Sequence, residues 1–133
     1  MAIKRPYVAQ ATYDFAVSGG AVSTITLPGY HSIPINGLIT NVRVDVQTIV
    51  TSAGAAEIAL TAGGVTLKAA ETIANCEYDA TGLVDVIRAG NAGATGTAKY
   101  IPIKATSTAG IAIAITVAAL TAGKLNVWVE YSY

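Results

Sequence analysis

The sequence predicts an all-β fold: an antiparallel β-sandwich of jelly-roll type, with about eight short strands and at most one short helix. Three observations predict it. Apolar β-branched residues recur at period two in several separate runs, such as Val42, Val44 and Val46 or Ile111, Ile113 and Ile115. Gly-rich turns divide these runs at short intervals. The longest apolar run, from Ile111 to Leu120 and interrupted only by Thr116, is too short for a spanning helix, which needs about 18 residues. An antiparallel sandwich is the arrangement that many short alternating strands can bury.

Residues 1–10 read as an N-terminal arm, in which Pro6 holds its own backbone and pushes Arg5 toward an extended conformation. Residues 11–133 read as a single sandwich domain. Tyr13, Phe15 and Val17 alternate with Thr12, Asp14 and Ala16, which predicts a first strand. Gly19-Gly20 makes a turn, AVSTITL (21–27) is a second strand, and the two are expected to form a hairpin. PGYHSIPING is a loop by its turn formers. In LITNVRVDVQTIV (38–50) the valines face a core, and Arg43, Asp45 and Gln47 face outward.

Ala56, Ile58 and Leu60 predict the inward side of another strand, with Glu57 outward and Gly63-Gly64 ending it. Around KAAET, Leu67, Ala70 and Ala74 stand at helical spacing and predict a short helix. LVDVIR (83–88) reads as a short strand, AGNAGATG (89–96) as a loop, and KYIPIKAT (99–106) as an extended edge or bulge around Pro102. Ile111, Ile113, Ile115 and Val117 are expected to share one face of the next strand. Ala112, Ala114, Thr116 and Ala118 lie on the other, a flat face that a second layer or a neighbour would cover. Leu125, Val127, Val129 and Tyr131 alternate with Asn126, Trp128, Glu130 and Ser132 in the last strand. A faint echo links TSAG and EIALTAG (51–63) to TSTAG and ITVAALTAG (106–123). It reflects either two similar hairpins or chance in a chain rich in Ala, Thr and Gly.

Composition narrows the function. The chain has 133 residues, of which 53% are hydrophobic and 12% charged, and its net charge is +0. That charged share is about half the usual one. A nucleic-acid-binding protein would carry a basic patch, so no nucleic acid is expected as a partner. No membrane segment is expected either. Low charge favours association with other protein surfaces. Cys76 is the only cysteine, which rules out an internal disulfide framework and a Cys-based zinc site. No apolar core of a signal peptide follows Lys4 and Arg5, so synthesis in a cytoplasm without a cleaved leader is expected.

The sequence carries no legible catalytic site, and no cofactor or metal is expected. His31, the only histidine, sits in a Gly/Pro-rich loop. Glu71, Glu77, Asp79 and Asp85 form a loose acidic group whose spacing matches no calcium loop. The features that point outward are contact features. Trp128 gives the last strand apolar bulk on the face opposite Val127 and Val129, and Tyr131 and Tyr133 follow it. Large rigid rings give much contact at little entropy cost. The arm adds Lys4, Arg5 and Tyr7. Interface candidates are therefore Lys4, Arg5, Tyr7, Trp128, Tyr131 and Tyr133.

ATYDFAVSGGAVSTITL, ITNVRVDVQTIVTSAGAAEIAL and ITVAALTAGKLNVWVEY together resemble small head-associated proteins of tailed bacteriophages, the capsid decoration or cement proteins. The resemblance covers most of the chain, least well over 65–105, and carries no residue-level motif. It implies a non-enzymatic virion protein on the capsid surface, a homotrimer whose partner is the major capsid protein and which bridges capsid subunits. In that setting Trp128→Ala is expected to spare the fold and weaken assembly. The alternative is a carbohydrate- or receptor-binding sandwich of a phage fibre, with exposed aromatics stacking on sugars.

Overall fold

The computed structural model describes residues 7–29, 32–87 and 103–133. Among them the chain forms two antiparallel sheets packed face to face. The first contains β1 (Tyr7–Asp14), β9 (Leu120–Ser132), β3 (Leu38–Ser52) and β6 (Gly82–Ile87) in that order, with the two-residue β7 (Ile103–Lys104) paired to the start of β3. The second is ordered β2 (Ser23–Thr26), β8 (Ala112–Thr116), β4 (Glu57–Ala62) and β5 (Val65–Thr72). Successive described strands mostly change sheet; only β4–β5 and β6–β7 stay within one. The all-β sandwich expected from the alternation is the observed fold.

The core is the sum of the inward-facing sets. Val42, Val44 and Val46 of β3, Leu125, Val127 and Val129 of β9, and Ala9, Ala11 and Tyr13 of β1 are buried from one sheet. Ile58 and Leu60 of β4, Ile113 and Ile115 of β8, and Leu67 of β5 are buried from the other. The polar residues fall on the outer sides, where period two places them. Within the run at 111–120, Ala112–Thr116 form β8, with Ile113 and Ile115 in the core.

Five local expectations are corrected. First, the alternation of β1 stops at Asp14. The Asp14 carboxylate accepts from the Ala16 amide at 3.0 Å and caps a one-turn helix, α1 (Phe15–Ser18), which Gly19 closes with φ +73°. Phe15 and Val17 therefore leave the strand pattern, and Val17 is exposed. Second, the first two strands form no hairpin: β1 pairs with β9 and β2 with β8, in different sheets. Third, KAAET is strand. It lies in β5, held by pairs such as Glu57↔Thr72 and Leu60↔Lys68 with β4. An isolated helix this short is marginal, and sheet pairing overrides its propensity.

Fourth, β8 ends at Thr116. Val117 sits at φ +72°, 69% exposed, at the tip of a tight turn closed by the Ala118 amide donating to the Thr116 carbonyl at 2.9 Å. A β-branched residue is strained there. Fifth, the segment taken as arm is strand from Tyr7 onward, with Tyr7–Gln10 in register against Tyr131–Trp128. The sequence echo also marks no pair of equivalent hairpins. β4 and β5 do form one, turned at Gly63-Gly64 with φ +59° and +78°, whereas β8 and β9 belong to different sheets. The loops read at 89–96 and around Pro102 lie outside the described residues.

Candidate binding face of the first sheet

The outer side of the first sheet presents side chains in cross-strand rows. One row runs Val8, Glu130, Asn41, and the next runs Gln10, Trp128, Arg43. A third holds Thr12, Asn126 and Asp45, where the Thr12 hydroxyl and the Asn126 side-chain oxygen are 2.8 Å apart. Directly opposed side chains on such rows lie within contact distance. Val8, Asn41, Arg43, Trp128 and Glu130 line a cleft of about 250 Å³, open on one side. A second groove of about 340 Å³ lies between the edges of the two sheets, lined mainly by small and uncharged residues including Ala11, Thr26, Gly29 and Gly110.

The structure separates the predicted contact residues. Trp128 is half-buried on the outer face, while Tyr131, three residues on and so of opposite parity, turns into the core at 6% exposure. The Tyr131 ring stacks on that of Tyr7 with centroids 5.5 Å apart and planes at 24°. Tyr7 itself is half-exposed at the sheet margin and Tyr133 is exposed at 63%. Lys4, Arg5 and His31 lie outside the described residues. Asn41 and Glu130 were not singled out by sequence reasoning. Alternation puts each on an outer face, but only the β3–β9 register brings them together beside Trp128.

Cys76 and Tyr78 sit in the turns after β5, both 2% exposed, and the Tyr78 carbonyl accepts from the Val50 amide at 3.0 Å. Burial, with a smaller push from Glu71 against the pull of Lys68, raises the Cys76 thiol from its ordinary 9.0 to about 11. Burial likewise raises the Tyr78 phenol, and the Cys76 thiolate would raise it further. Tyr13 is raised too, by burial and then by Asp14. Each acid is raised in the folded chain, so the unfolded chain releases its proton first. The stability these groups contribute is full below pH 9 and is lost as pH rises through the folded values. The urea midpoint should therefore fall above pH 9, and Cys76→Ala should move that onset toward the ordinary tyrosine value of 10.0. A midpoint flat to pH about 11 would contradict this. Among the described residues, no group of three or more His, Cys, Asp or Glu placed to hold a metal occurs, and the side chain of Asp85 lies outside them.

Two interleaved antiparallel sheets with a mixed polar and aromatic outer face define an all-β sandwich with a candidate binding face. Among solved structures, the chain is similar to a chain of the cyanophage Pam1 capsid asymmetric unit. The TM-score is 0.56 at 16% sequence identity, over 97% of this chain and 85% of that one. At that identity the likeness is one of fold. No family model matches the chain, and no curated protein does.

Proposed function

We propose that the chain is a non-enzymatic structural protein of a phage virion that decorates the outer capsid surface and bridges neighbouring subunits of the major capsid protein. The observation that carries the reading is the fold shared along nearly the whole chain with a component of a phage capsid asymmetric unit. The strand orders β1-β9-β3-β6, with β7 beside β3, and β2-β8-β4-β5 support a jelly-roll reading, since strands adjacent in sequence are mostly exchanged between a five-stranded and a four-stranded sheet. Low charge supports association.

We assign the shell contact to the margin where Tyr7 and Tyr133 stand exposed, together with Lys4 and Arg5 just before β1. Tyr131 acts behind them, its ring fixing that of Tyr7. A subunit that binds only the assembled shell stabilises it by about RT ln(1 + [L]/Kd) at each site, and many sites act together. Light scattering after gel filtration is expected to give a trimer. Co-sedimentation with empty shells of the capsid protein should saturate, and removal of residues 1–7 should weaken it while the circular dichroism of the domain persists. A clean monomer that fails to sediment with shells overturns the reading.

A further inference from the structure

The geometry points to the cleft over Trp128 as a binding site for a neutral saccharide ring, a function separate from shell attachment. Its shape comes from the sheet. Two residues along a strand advance roughly 7 Å and two strands across roughly 10 Å, so the rows Val8–Glu130–Asn41 and Gln10–Trp128–Arg43 frame a patch of one pyranose with its hydroxyls. The volume of about 250 Å³ is that of about eight liquid waters. It suits one small polar ring.

The chemistry fits a sugar more closely than another small molecule. A pyranose has an apolar face of C–H groups and a rim of hydroxyls that both donate and accept. The half-buried indole of Trp128 offers a flat apolar surface for the first, and Val8 extends it. Around it, Asn41 supplies an amide that donates and accepts, Glu130 accepts through two oxygens, and Arg43 stands at the rim. Planar groups with two polar atoms meet vicinal hydroxyls in pairs. The one positive and one negative charge cancel across the cleft, so a charged ligand would gain from one and lose to the other. All five side chains stand on β1, β9 and β3, three adjacent strands of one sheet, so the site is held in place before binding.

Trp128 is the only tryptophan in the chain, so its fluorescence reports on this cleft alone. The test titrates the full-length protein with the methyl glycosides of glucose, galactose, mannose and N-acetylglucosamine at millimolar concentration. Methyl glucuronide and glucosamine serve as charged comparators. At least one neutral glycoside is expected to give a saturable emission change, exceeding both comparators. Asn41→Ala and Glu130→Gln should each weaken it about tenfold. Trp128→Ala should abolish binding measured by calorimetry while the protein stays folded and still sediments with shells, in place of the weakened assembly expected from the sequence, because the shell contact is assigned to the margin where Tyr7 and Tyr133 stand exposed. Protein lacking residues 1–7 should lose shells and keep the sugar, which separates failure of this site from failure of the attachment reading. The inference is overturned if no neutral glycoside moves the emission, or if Asn41→Ala and Glu130→Gln bind as the parent does. Loss of shell sedimentation in Trp128→Ala without any sugar response would overturn it too, and would return Trp128 to the subunit contact.

Discussion

Gly20→Ala is expected to destabilise the domain by about 3 kcal/mol, the upper part of the usual range for overpacking. Gly20 is buried where the chain leaves α1, and a methyl group there would stand 2.3 Å from the Leu120 carbonyl oxygen and 2.8 Å from its carbon. The obstacle is backbone, so no rotamer change relieves it. Retreat is costly too, because the Leu120 amide donates to the Gly20 carbonyl at 2.7 Å. Leu120 also starts β9, is itself buried, and pairs with Ser52 at the end of β3. A displacement would loosen the long β3–β9 ladder at its first pair. The urea midpoint should drop by roughly 1–2 M if the slope is that of an ordinary small domain. Gly110→Ala is the matched control. The nearest atom to its added methyl is Thr26 Cγ2 at 3.4 Å, an ordinary contact, and its midpoint should stay close to the parent's. Equal midpoints for the two variants would show that Gly20 does not hold the α1–β9 junction closed.

Why some of this architecture was legible and some not follows from where information sits in the chain. β3 and β9 read clearly because each has one core face and one polar face, so Val42, Val44 and Val46 or Val127 and Val129 declare a period of two. The stop at Asp14 was also written locally, as an Asp N-cap five residues before Gly19. The alternation running through Phe15 and Val17 masked it. β5 was misread because Lys, Ala and Glu carry helix propensity, while what decides their state is pairing with β4, a partner the local pattern does not name. The supposed β1–β2 hairpin failed for a related reason. Nearness in sequence favours pairing, yet here each strand finds its partner about a hundred residues away. The candidate site divides in the same manner. Trp128 is placed outward by the alternation of its own strand, and the same parity turns Tyr131 inward. The cleft itself needs Asn41 and Arg43 from β3 beside Glu130, and that depends on a register set by tertiary structure.

Ile113→Ala is expected to cost about 2–5 kcal/mol, the range for emptying a well-packed core position. Ile113 lies in β8, itself flanked by β2 and β4, and is 1% exposed. Its cross-strand neighbours are Ile25 and Leu60, and Leu60 is equally buried. The truncated side chain leaves a void that two hydrogen-bonded neighbours cannot close by moving inward. The next residue tests the opposite side of the same strand. Ala114 is half-buried between Thr24 and Ala59, so its shielding comes from neighbours within its own sheet, and Ala114→Ser should change stability by less than about 0.5 kcal/mol. Thermal melts of the two variants at one protein concentration decide the matter. A large loss for Ile113→Ala beside a negligible one for Ala114→Ser makes β8 a strand with one core side. Similar large losses would mean that the alanine side is packed as tightly as the isoleucine side. If that second loss shrank on dilution of the protein, the packing would come from another copy of the chain, and the flat outer face of the second sheet would join the contacts of the assembly.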